Sequence, residues 1–159
     1  MRDVRSKYGL SWHWAGSEAN MERLSNLPSR IGQVAVNPEQ FIFPNSNHRP
    51  FHSQEEIVQV LSRGIGRVAP DTKVIIGDLT DYFLLHTQMN PRQMFFKPEN
   101  KGIAIRTRTQ VMMIDVAAYH GPSLAVLDYF ERGIWIDHGF GEAPDQSLWV
   151  APLIIPSGS

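Results

Sequence analysis

From Ile103 to Val116 the residues keep a period of two. Ile103, Ile105, Thr107, Thr109, Val111 and Met113 fall on one side, and Ala104, Arg106, Arg108, Gln110, Met112 and Ile114 on the other. Only an extended strand puts every second side chain on one face. A lone strand does not persist in water, so the run demands a sheet. Turn residues bound it: Pro98-Glu99-Asn100-Lys101-Gly102 before, and His120-Gly121-Pro122 after. Met94-Phe95-Phe96 is a further strand candidate. Ser123–Phe130 reads as a strand or, with Pro122 at a first helical position and Gly133 at the end, as a helix. The strand is preferred, because a short turn then supplies Ile134–Asp137 as its partner. Trp149–Ile155 is a last apolar segment whose Pro152 suits an edge.

Helices are expected upstream. Ser53 and Glu56 have capping-box spacing, Ile57, Val58, Val60 and Leu61 form an apolar face, and Gly64 suits a left-handed cap. Lys73–Ile76 follows as a short strand. Thr80 as N-cap, Asp81 in the first turn and Pro91 as terminator make Thr80–Asn90 a helix. The expected fold class is α+β: one or two helices against a mainly antiparallel sheet from the second half of the chain. Residues 1–52, with Pro28, Pro38, Pro44 and Pro50, read as an irregular N-terminal arm packed on the body, and 53–159 as a single α+β domain.

Composition narrows the chemistry. With no cysteine among 159 residues, disulfide frameworks, iron–sulfur clusters, zinc ribbons and thiol nucleophiles are excluded. A net charge of −1 disfavours a nucleic-acid partner. No apolar run is long enough to span a membrane. Met1–Leu10 lacks the apolar core of a signal peptide, so the expected location is the cytoplasm, or outside the cell by a route without such a peptide. The charged fraction, 19%, is low for a soluble domain and points to surface covered by a partner.

Candidate site residues come from histidines, carboxylates, arginines and tryptophans. Asp137-His138-Gly139-Phe140-Gly141-Glu142 reads as a glycine-containing loop bearing proton-transfer groups, which His120 and Asp128 join if the turns share one end of the sheet. The bland reading is an exposed polar loop. Arg106 and Arg108, on one strand face, suit a phosphate or an acidic partner, or simply solvent. Trp12 and Trp14, flanking His13, anchor the arm or clamp a partner. Met94, Phe96, Met112 and Trp135 line either a ligand pocket or the core. His48 and His52 have Pro50 between them, so their four-residue spacing loses its helical meaning and no metal site is expected. Gly64-Ile65-Gly66-Arg67 follows a helix instead of opening one, so it is no phosphate loop. No serine stands in a nucleophile elbow, and the residues leave the question of a cofactor open.

Ile114-Asp115-Val116, Gly121 and Ser123-Leu124-Ala125-Val126-Leu127-Asp128, preceded by a helix at Glu55–Ser62, Pro70 and a strand at Lys73–Ile76, resemble the central region of the YopJ-like effector acetyltransferases. The resemblance covers about Glu55 to Tyr129. In that family a His opens the first strand of a hairpin, an acidic residue closes the second, and a nucleophilic Cys follows. Asp128 matches the acidic position, Gln110 falls near the His, and the Cys has no counterpart. The resemblance therefore implies a relative without thioester chemistry, or a piece of a longer protein.

The leading expectation is a non-catalytic protein-interaction module, effector-like and bacterial, with a protein partner or self-association. Trp12, Trp14, Arg106, Arg108 and Trp135 would make its contacts. The alternatives are an enzyme using Asp128, Asp137, His138 and His120, as a hydrolase or transferase with or without a metal, and a small-ligand-binding domain.

Overall fold

The computed structural model describes residues 22, 26, 32–37, 39–88, 103–111, 123–130, 133–140 and 142–158, and at 83, 86–88, 111, 123, 125, 127–130 and 133–140 it describes backbone only. The fold is α+β. The described elements run α1 (Phe51–Gly66), β1 (Thr72–Ile76), α2 (Leu79–Gln88), β2 (Ala104–Val111), β3 (Ser123–Phe130), β4 (Gly133–Phe140), β5 (Leu148–Trp149) and β6 (Pro152–Pro156). They form two sheets. One has the order β4-β3-β2-β5 and the other pairs β1 with β6.

Helix α1 starts earlier than its capping-box spacing predicts. Pro50 is the N-cap, in extended conformation, with no side-chain cap, and the Gln54 N–H donates to its carbonyl at 3.2 Å. Ser53 is thus inside the first turn. The earlier start brings Phe51 onto the apolar cluster of Val58, Val74, Ile76 and Val150, where Leu61 and Ile65 also pack. Tertiary burial outweighs a cap worth about 1 kcal/mol. Nor does Gly64 end the helix: Arg67, at φ −73° and ψ −28°, closes it one turn later in ordinary right-handed geometry.

Helix α2 also begins one residue before its expected cap. The Asp78 carbonyl receives the N–H groups of Asp81 and Tyr82 at 3.0 and 3.4 Å, and the Asp78 N–H donates to Asp81 Oδ2 at 2.8 Å. The Leu79 N–H donates to Thr109 Oγ1 at 2.8 Å, so one orphan donor of the helix is satisfied by β2. Thr80 becomes a buried helical residue.

Segment Ser123–Phe130 is a strand, as preferred. β3 pairs antiparallel with β2 and with β4, the latter from Ser123↔Phe140 to Phe130↔Gly133. This ladder overturns the loop expected at Asp137–Glu142 as far as Phe140, while Glu142 lies in a turn. Asp137 and His138 lie inside β4, opposite Val126 and Ala125, because the short β3–β4 connection holds the hairpin in register through Phe140. Candidate strand Met94–Phe96 and the turns at 98–102 and 120–122 fall outside the described residues, as do 112–116 of the alternating run.

The smaller sheet is closed on both sides. Val74 turns its N–H away from β6, to Ser62 Oγ on α1 at 2.8 Å. On the far side of β6, Ile154 exchanges two hydrogen bonds with Ala35, of 2.8 and 3.0 Å. Backbone groups two residues apart share an edge of a strand. Pro152 and Pro156 flank Ile154 at that spacing, and neither has an N–H to offer.

Candidate functional site

Strand β2 carries the two arginines to different fates. Alternation places them alike, yet Arg106 is fully buried while the Arg108 side chain is 54% exposed. Arg108 lies 3.7 Å from Glu55 of α1 and fits a solvated ion pair. Arg106 is no surface anion receptor. Its Nη1 donates to the Arg49 carbonyl and to Gln54 Oε1, each at 3.1 Å, and its Nη2 to the Ala143 carbonyl at 3.0 Å. The reason is the loop chain crossing this end of β2, which covers the guanidinium with carbonyl oxygens and excludes solvent.

Gln54 extends the network. Its Nε2 donates to the carbonyls of Ser46 and Leu148 at 2.8 and 3.0 Å. Ser46 Oγ donates to the Phe43 carbonyl at 2.8 Å and accepts the Val150 N–H at 3.0 Å. The His48 N–H, on a residue with φ 55°, reaches the Asp145 carbonyl at 2.9 Å. These bonds clamp residues 43–50 to 142–150.

Burial pushes the Arg106 guanidinium pKa down, and the charges of Asp145 and Glu142 oppose that shift. The Asp145 carboxyl sits below its ordinary value of 3.8, mainly because the Ser147 hydroxyl and N–H donate to Oδ1 at 2.6 and 2.7 Å. The clamp therefore sets two carboxylates near one buried cation.

At the mouth of the clamp, His52 Nδ1 and Glu142 Oε2 are 2.7 Å apart, with side chains 61% and 57% exposed. A carboxylate on one ring nitrogen fixes the imidazole and leaves the other nitrogen to exchange protons. Sequence reasoning passed over this pair. The carboxylate is 90 residues away, and His52 drew notice only through its spacing from His48. Among the described residues no serine or threonine hydroxyl is bonded to His52, and no group of three or more His, Asp or Glu is arranged to hold a metal ion.

The expected acid–base set is placed only in part. Asp128 sits on β3 opposite Trp135, whereas Asp137 and His138 sit opposite Val126 and Ala125, so the three do not share a rung. On its other side Asp128 pairs with Ala104, and Gln110 pairs with Leu124. His120, Trp12, Trp14, Met94, Phe96 and Met112 lie outside the described residues.

A second feature lies beside β6 and the start of β1. An open groove of about 550 Å³ runs between Gly32–Ala35, β6 and α2. Leu84, Leu85, Leu153 and Ile155 give it apolar walls, and Asp71 and Asp81 are the charged members among the described residues. Such a volume lies within the range of ligand-binding clefts. Among the described residues no helix is long and apolar enough to cross a membrane. No protein-family model matches this chain, and no curated protein or solved structure matches it either.

Proposed function

We propose that this chain is a non-catalytic protein-interaction module. The observation that carries the reading is the open groove between Gly32–Ala35, β6 and α2. Leu84 is 39% exposed there, an apolar side chain left at the surface beside the apolar walls. Arg106, the residue with the most concentrated charge chemistry, is consumed by a structural clamp and offers nothing to a substrate. The effector-like and bacterial character, and a location in the cytoplasm or outside the cell, belong to the same proposal. So does kinship with the YopJ-like proteins, which the order of α1, β1 and the β2–β3 hairpin supports.

The test uses the folded chain and its Leu84→Gln variant against a displayed library of random short peptides. The module reading expects peptides to be enriched on the parent chain and lost on the variant, and expects each synthesised peptide to be recovered chemically intact. Absence of any enrichment sinks it.

One observation favours a second reading. The His52–Glu142 pair has the geometry of a base and its orienting carboxylate. Under that reading peptides are cleaved or modified, and His52→Ala stops the change without abolishing binding.

A further inference from the structure

We propose that the occupant of the groove is a short apolar peptide segment carrying a lysine or arginine. This rests on the interaction reading and adds the chemistry of the partner. Among the described residues, thirteen line the groove, including Asp71 and Asp81 and no Lys, Arg or His. Asp71 is exposed, on the turn before β1, whereas Asp81 is 5% exposed on the first turn of α2. The nearest lysine in sequence, Lys73, directs Nζ to the Ser157 carbonyl at 3.5 Å. A cation entering between apolar walls feels these carboxylates through less water than at an open surface, which strengthens the attraction.

Backbone chemistry restricts how the segment binds. Strand addition to β6 is closed, because Ala35 occupies Ile154 and the prolines at 152 and 156 have no donor. Recognition therefore passes through side chains: an apolar one against Leu84, Leu85 and Ile155, and a basic one toward the carboxylates. A groove of about 550 Å³ admits a few side chains, so the contact is with a segment and not with a folded face.

Three labelled, end-blocked hexapeptides of leucine alternating with arginine, glutamine or glutamate serve as probes. Their binding to the whole chain is read by fluorescence anisotropy. The arginine peptide is expected to bind about tenfold tighter than the glutamate peptide. Asp71→Asn, a change at an exposed position, should weaken the arginine peptide several-fold, and so should raised salt. Leu84→Gln should weaken arginine and glutamine peptides alike. Equal binding of all three peptides overturns the charge preference while leaving the interaction reading standing. Arginine-peptide binding that ignores Leu84→Gln places it elsewhere on the surface and overturns the site. No binding of any peptide, together with no enrichment from the random library, overturns both.

Discussion

Arg106 and Gln54 stand 52 residues apart and meet in the protein interior, Nη1 to Oε1 at 3.1 Å. Gln54 both accepts from the guanidinium and donates to carbonyls on two separate segments, at Ser46 and Leu148. An amide can do both, and an ionised carboxylate cannot. Gln54→Glu is therefore expected to destabilise the fold by about 2 kcal/mol or more, although it sets a charge beside Arg106, because two buried carbonyls lose their donors. Urea unfolding at neutral pH checks this. A variant more stable than the parent would mean that charge pairing governs the clamp.

Tyr82 lies wholly inside the protein, its hydroxyl accepting the Gly77 N–H at 3.0 Å and donating to the Ala151 carbonyl at 2.6 Å. Burial first, then the charges of Asp81 and Asp78, raise its pKa well above the ordinary 10.0, against the opposing Gly77 hydrogen bond. A phenol whose folded pKa is raised contributes stability fully below its unfolded value, and that stability is lost as pH rises from there through the folded value. Tyr82→Phe should cost about 1–3 kcal/mol at neutral pH. The gap should narrow above pH about 10, where the parent meets the cost of ionising or expelling the phenol. Unfolding curves at neutral and alkaline pH, with tyrosinate absorbance, read both effects. A gap that widens with pH contradicts the assignment.

Ser62 supplies the acceptor for the Val74 N–H, the outward-facing donor at the middle of β1. Ser62→Ala leaves that donor without its partner, and the expected loss is about 1 kcal/mol. Amide exchange at Val74 should accelerate more than at Ile75, whose backbone faces β6. Uniform acceleration across β1 would point to global destabilisation instead.

Pro152 guards the opposite edge of the small sheet. Pro152→Thr restores an N–H on the side that Ala35 occupies at Ile154. Stability should change by less than about 1 kcal/mol while self-association on warming increases. Light scattering during a slow thermal ramp distinguishes these effects. Unchanged scattering would mean that the edge is closed by something other than its prolines.

Local chemistry determined the kinds of element. The alternation of Ile103–Val111 specifies a strand, and Ile57, Val58, Val60 and Leu61 specify a helix, although Val60 is 59% exposed. The helix over α2 follows from its capping residues, of which Asp81 lies in the first turn and Thr80 is inside the helix. The edge role of Pro152 was legible, since a missing N–H is a property of the residue itself, but the expected single segment Trp149–Ile155 is divided between β5 of the larger sheet and β6 of the smaller one. Tertiary structure decided where elements begin and what their polar residues do. Burial of Phe51 moved the start of α1 ahead of Ser53, and hairpin register turned Asp137 and His138 from a loop into β4. Arg106 and Arg108 share one sequence pattern, yet one is enclosed by Arg49, Gln54 and Ala143 while the other meets solvent beside Glu55. The His52–Glu142 pair and the groove beside β6 were invisible for the same reason. Each joins segments far apart in the chain, and residue type and short-range spacing carry no information about which distant segments come together.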